Sequence, residues 1–141
     1  SFPATDSADS SPNLPSGNKP LDGHFIVIPK LSLIQPVYRG ESVGQTHLVG
    51  NQEIDFSQIN GADVLYGHGL DGGIFQHLYK LNLGDEVNLF NQNGQNHYQV
   101  TDIRLVGASD VSAVNHQTGL VYLLTCTSQS QRLLITAKII K

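Results

Sequence analysis

The sequence predicts an all-β domain, a barrel or a sandwich, on three observations. Short runs of branched and aromatic residues recur along the whole chain after its first twenty positions. Turn residues separate them about every ten positions, the rhythm of sandwiches and barrels. One run, residues 97–106, changes face partway, which reads as the bulge or bend common where a sheet closes on itself.

Residues 1–20 hold most of the proline, with serine, asparagine and aspartate and little apolar material. They cannot bury enough surface to offset the entropy of ordering. A flexible linker over residues 1–22 is therefore expected, with one domain at 23–141. The run FIVI at 25–28 is closed by Pro29, and residues 31–37 are closed by Pro36 and the Tyr-Arg-Gly at 38–40. Both read as strands. Another short strand is expected at 46–50. Residues 53–60 read as a helical turn or a loop.

ADVLYGH at 62–68 is a strand that runs into a glycine-rich turn at 67–73, where Asp71 can cap a following helix. In that helix Ile74, Leu78 and Leu81 fall at i, i+4 and i+7, with Phe75 and Tyr79 alongside. Gly84-Asp85 stops it. Residues 86–90 alternate, and Asn93-Gly94 is a two-residue hairpin signal. The return run puts Tyr98 and Val100 on one face but Ile103 and Leu105 in the other register, slipping near Thr101 and Asp102. Residues 107–119 form a polar loop with room for a short strand at 111–114.

The stretch LVYLLTCTSQSQRLLI, 120–135, is two strands joined by a polar turn at 128–131. Cys126, the only cysteine, ends the first; Arg132 opens the second. On that last strand Leu133, Ile135, Ala137 and Ile139 share one face, and Arg132, Leu134, Thr136 and Lys138 the other.

Composition excludes several classes. The 141 residues carry 8 Lys and Arg against 12 Asp and Glu, a net charge of −4, and no basic stripe, which argues against nucleic acid. No apolar run approaches the roughly 20 residues that span a bilayer, and no signal peptide is visible. The chain begins at Ser1 and contains no methionine, so it reads as trimmed, with any N-terminal anchor lost. One cysteine forms no internal disulfide and leaves a thiol that is either buried or reactive.

Three residues suggest chemistry. A free thiol has a pKa near 8.5, so a thiolate at neutral pH needs a cation or imidazolium beside it. Cys126 and Arg132 can face one another across the hairpin mouth. His68, at the end of the ADVLYGH strand, can hold and return a proton. Arg132 stays charged and can bind a developing oxyanion. Together they suit acyl transfer through a thioester. Each also has an ordinary reading: a buried small hydrophobe, a loop histidine, a solvated strand edge.

LLTC followed by RLLITA resembles the cysteine signature of the sortase family, Thr-Leu-x-Thr-Cys with an arginine soon after. VLYGHG, then Phe75, Leu78, Leu81 and Gly84-Asp85-Glu86-Val87, is similar to that family's histidine segment. The resemblance runs in order from about Phe25 to Lys141. It implies a closed eight-stranded β-barrel with one or two short helices. It also implies a membrane-anchored transpeptidase on the extracellular face of a Gram-positive-type cell. Such an enzyme cuts a Leu-Pro-x-Thr-Gly-like sorting signal between Thr and Gly and passes the acyl group to an amine, from a peptidoglycan precursor or a pilin lysine.

Residue by residue, the resemblance makes Cys126 the nucleophile, His68 the proton carrier and Arg132 the oxyanion partner. It puts Thr125, Tyr122, Leu124 and His116 at the substrate. Tyr122 departs from the motif, standing where the first threonine belongs. No Asp-Pro-aromatic lid motif accompanies Phe2, and residues 107–119 are short for the haem-uptake class. A general-anchoring type is expected, with a pilin-polymerising sortase as the alternative.

His24, His47, His77, His97 and His116 show no metal-ligand spacing, so no metal or other cofactor is expected. Asp110, Glu53 and Asp55 are the only calcium candidates, by loop position alone. Two rivals remain: a thiol hydrolase of another fold, and a non-catalytic β-barrel binding module.

Overall fold

A computed structural model describes residues 20–39, 50–107, 112, 114–115, 117–128 and 130–140. The described residues form a closed barrel of eight strands: β1 (Pro20–Ile28), β2 (Leu33–Arg39), β3 (Ile54–Ile59), β4 (Ala62–Tyr66), β5 (Glu86–Asn91), β6 (Gly94–Gly107), β7 (Leu120–Cys126) and β8 (Gln131–Ile139). Around the barrel the order is β1-β2-β3-β4-β7-β8-β6-β5, and β5 pairs back onto β1. The all-β barrel read from the sequence is thus the fold. Of the linker expected at 1–22, residues 20–22 belong to β1, and 1–19 lie outside the described residues, as do the strand expected at 46–50 apart from Gly50 and most of the one at 111–114.

Alternation builds two apolar layers from the same strands. Ile26, Ile28, Leu65, Val100, Leu123 and Ile135 point inward and fill the barrel. The outward residues Val64, Tyr66, Tyr122, Leu124 and Leu134 form a second buried cluster, with Val114 from the β6–β7 connection over it. The slip in the long run is real. β6 shifts register against β8 between Val100 and Asp102, and the surplus Thr101 lets one strand of 14 residues serve two neighbours.

Three expectations change. Residues 54–59, read as a turn or loop, are β3. β3 enters β4 through Asn60 and Gly61, at φ +52° and +80°, the left-handed pair that a tight hairpin turn uses. The Asn93-Gly94 signal marks a hairpin, but its turn centres one residue earlier. Asn91 and Gly94 close the ladder, and the Asn91 side chain accepts the Asn93 N–H at 2.7 Å.

The third change is the helix. The segment after His68 holds only a 3-10 turn, Leu78–Lys80. Its backbone bonds run Gln76 to Gly73, Leu78 to Phe75 and Leu81 to Leu78, each three residues back. The buried side chains are accordingly Phe75, Leu78 and Leu81, spaced by three, the 3-10 period. Asp71 caps no helix; it sits at φ +55°, the left-handed region. A second short 3-10 turn, Pro29–Leu31, joins β1 to β2.

Leu123 is fully buried at the centre of the barrel, beside Leu65 of β4 and Ile135 of β8. Leu123→Ala is expected to destabilise the domain by about 2–5 kcal/mol, read by urea unfolding, because the rigid strands around it cannot collapse into the void.

Candidate active site

The site is a consequence of strand direction. β4 and β7 pair in parallel, Tyr66 opposite Leu124, so both chains leave the barrel at the same end. β4 leaves into Gly67 and His68, and β7 ends on Cys126. The same register carried on sets His68 level with Cys126. β8 then returns antiparallel to β7, and its Arg132 is the cross-strand partner of Cys126. The turn between them closes on Gln131, whose carbonyl accepts the Thr127 and Ser128 N–H groups. The Ser128 hydroxyl accepts those of Ser130 and Gln131.

The loop that carries His68 is bolted to the nucleophile strand. Buried Thr125 donates its hydroxyl to the Gly67 carbonyl at 2.7 Å, and Gly67 donates to the Leu124 carbonyl. Phe75 donates to the His68 carbonyl at 2.9 Å. Two glycines make this closeness possible. A β-carbon on Gly69 would stand 2.3 Å from the Cys126 carbonyl oxygen, and one on Gly73 would stand 2.3 Å from that of His68.

One residue touches all three predicted groups. The Tyr66 hydroxyl lies 3.4 Å from His68 Nδ1 and 3.5 Å from Cys126 Sγ. The Tyr66 ring meets the His68 imidazole edge to face, and the Arg132 guanidinium carbon lies 5.8 Å from its centroid. Cys126, His68 and Arg132 are therefore gathered on the outer face of the barrel at one end. Cys126 is half-buried, packed against the outer apolar cluster rather than sealed in the barrel. Arg132 Nε is buried and has no hydrogen-bond partner among the described residues. A buried donor left unpaired costs stability unless something else accepts from it.

Sequence reasoning passed over Tyr66. The signal was present, because a residue two before His68 on a strand shares its face.

The expected substrate contacts divide. Leu124 is buried in the cluster under the groove. Tyr122 is buried too, and its hydroxyl accepts the Asn115 N–H and donates to the Asn115 carbonyl. It anchors the β6–β7 connection instead of forming an open pocket wall. Thr125 spends its hydroxyl on Gly67 while bordering a cavity of about 290 Å³ beside Cys126, walled by Gly69, Phe75, Gln76, Tyr79 and Thr127. His116 lies outside the described residues. Another cavity, about 240 Å³ between Phe25, Phe56, Leu89 and Tyr98, sits toward the β5–β6 hairpin and includes none of the three predicted catalytic residues.

Of the calcium candidates, Glu53 and Asp55 are buried, and Glu53 accepts the Gly50 N–H at 3.1 Å. Burial, reinforced by these two carboxylates, pushes the nearby Tyr38 phenol above its ordinary range. Asp110 lies outside the described residues, among which no three His, Cys, Asp or Glu side chains gather as a metal site. No described helix is long and apolar enough to cross a membrane.

Comparison with known proteins agrees with this layout. The family description "Sortase domain" matches residues 26–140. Among solved structures, a sortase D5 transpeptidase of Clostridium perfringens superposes with a TM-score of 0.70 at 21% identity, over 88% of this chain and 82% of that one. Sortase C1 of Streptococcus suis gives a TM-score of 0.71 at 25% identity, over 84% and 73%. Sortase A of Corynebacterium diphtheriae gives 0.70 at 20% identity, over 87% of this chain but only 62% of its own. A search of curated proteins found no match.

Thr125→Val keeps the shape of the side chain and removes the buried bond to Gly67. It is expected to cost about 1–3 kcal/mol in urea unfolding. It should also raise the amide exchange rates of residues 67–69, which that bond holds against β7.

Proposed function

This chain belongs to the sortase family, and from that premise we propose that it is a cysteine transpeptidase acting on a Leu-Pro-x-Thr-Gly-like sorting signal. The observation that carries the reading is the buried Arg132 Nε–H, without a hydrogen-bond partner among the described residues, on the residue that pairs across the strands with half-buried Cys126. A donor held dry next to a nucleophile suits an oxygen that becomes negative only during reaction.

In the proposed reaction the Cys126 thiolate attacks the threonine carbonyl of the signal. Arg132 holds the oxygen as charge develops on it. His68 protonates the departing glycine amine, which leaves a thioester on Cys126. An incoming amine then gives a proton to His68 as it attacks the thioester, and the sulfur leaves as thiolate, which restores the starting pair of thiolate and imidazolium. Thiol, imidazole and guanidinium supply the nucleophile, the proton carrier and the oxyanion partner, so the proposal invokes no metal or other cofactor. The expected setting is the outer face of the cell membrane, with the residues that precede β1 as a tether.

The general-anchoring reading takes its amine from a peptidoglycan precursor. The pilin-polymerising alternative draws support from similar structures, among them a "Pilus-related Sortase C of Group B Streptococcus" at 25% identity. Supplying glycine-terminated and lysine-containing amines separately distinguishes the two.

Incubation of the protein with a sorting-signal peptide should give an adduct on Cys126 by mass spectrometry and an amide product when amine is added. Cys126→Ala and His68→Ala are expected to bring turnover to background with the fold unchanged. Arg132→Lys should lose about a hundredfold or more in kcat/KM, since an ammonium cannot reproduce the guanidinium fork. An unmodified Cys126 under these conditions, or normal rates in any of the three variants, overturns the reading.

A further inference from the structure

We propose that the Tyr66 hydroxyl is a catalytic residue of this site, a proton bridge between Cys126 and His68; the proposal rests on the transpeptidase reading above. A phenol hydroxyl can accept one hydrogen bond while donating another. Tyr66 is placed to do both, with Cys126 Sγ at 3.5 Å and His68 Nδ1 at 3.4 Å. The S–H can donate to the phenol oxygen while the phenol O–H donates to Nδ1.

Shifting both protons one place along this line breaks the S–H and phenol O–H bonds and forms a new O–H and an N–H. The phenol is neutral before and after. The products are a thiolate and an imidazolium, and no further reactant is needed. The thiolate then accepts the hydrogen bond from the same phenol, and the imidazolium holds the proton that the leaving amine requires.

The other buried tyrosine of this cluster offers a contrast. Tyr122 shares the outer cluster with Tyr66, and its hydroxyl bonds the backbone of Asn115. The Tyr66 hydroxyl instead meets the two side chains whose protons the reaction moves. Its ring stays fixed between Val64, Leu124 and Leu134 and under the Arg132 guanidinium. Among the described residues, the titratable and charged groups that face it include His68 from the loop after β4, Cys126 and Tyr122 from β7, and Arg132 from β8. On β6, Arg104 and Asp102 pair with each other at 2.7 Å. Of these, Cys126 Sγ and His68 Nδ1 lie within 3.5 Å of the Tyr66 hydroxyl.

The test measures the rate of Cys126 alkylation by iodoacetamide against pH, which reports thiolate without any peptide substrate. Tyr66→Phe removes the hydroxyl and keeps the ring under Arg132. The midpoint is expected to rise by about one pH unit, with alkylation at neutral pH about tenfold slower. His68→Ala should have a similar effect, and the double variant should be no slower than the slower single one, since both changes cut one path. An unchanged profile in Tyr66→Phe, or effects that multiply in the double variant, overturns the bridge.

If Tyr66→Phe loses its near-ultraviolet circular dichroism, 3-fluorotyrosine at position 66 replaces it. The more acidic phenol donates more strongly to thiolate, so the midpoint should fall; an unmoved midpoint overturns the proposal. Peptide turnover is read separately. The bridge with no turnover sinks the transpeptidase reading alone, and turnover without the pH shift sinks the bridge alone.

Discussion

The parallel pairing of β4 with β7 is the constraint on which the site depends. Antiparallel neighbours would send the two chain exits to opposite ends of the barrel. Here they leave together, so a histidine and a cysteine nearly sixty residues apart reach one edge. Register matters as much as direction. A slip of one residue would turn Cys126 inward and expose the Thr125 side chain, because faces alternate along a strand. The buried hydroxyl bond from Thr125 to Gly67 opposes that slip from the inner face. The site's alignment is thus held by residues that face away from it.

Closure of the barrel decides which face can do chemistry. The interior is filled largely by apolar side chains, Ile26, Leu65, Phe75, Leu123 and Ile135 among them. A groove has to form on the outside, where an open sheet surface would be wet and mobile. The outer cluster answers this by giving β4, β7 and β8 a second buried face. Tyr122 joins that cluster to the β6–β7 connection through Asn115. The tyrosine that departs from the family motif therefore acts on the groove through the backbone covering it. That covering also lowers the local dielectric, which strengthens any charge interaction beside Cys126.

Much of this was legible in the sequence, and the limits have physical causes. The Cys126–Arg132 hairpin could be read directly because everything that defines it is local: two apolar runs and a polar turn. The bulge at Thr101 was legible because a phase slip is a property of one strand. His68 was different. Nothing local links it to Cys126; the parallel pairing does, and only the family resemblance carried that information. Residues 74–81 were misread because their apolar residues fit two periods. Ile74, Leu78 and Leu81 suit an α-helix, while Phe75, Leu78 and Leu81 suit spacing by three. The flanking Gly72 at φ +75° and the three-residue backbone bonds decided for the tighter turn. β3 was missed because its alternation, kept from Ile54 to Phe56, is lost where Ser57 and Gln58 put Ile59 in the other phase.

Tyr66 shows how this architecture can combine a structural role with a chemical one. A phenol inside an apolar cluster must find a polar partner, or the buried hydroxyl destabilises the strand that carries it. Tyr122 meets that need with backbone, which does not change state. Tyr66 is in reach of two groups that do. Movement of a proton between thiol and imidazole would therefore be felt by the packing of β4, and any loosening of β4 by the thiol. Arg132 stands over the same ring with a donor that no described residue meets. The groove thus keeps several polar groups dry at a cost in stability, and the barrel core beneath them offsets that cost. In the proposed reaction such an arrangement would keep its shape while charge moves through it. A protonation change that required the strands to repack would forfeit the preorganisation that makes a buried donor worth more than one in water.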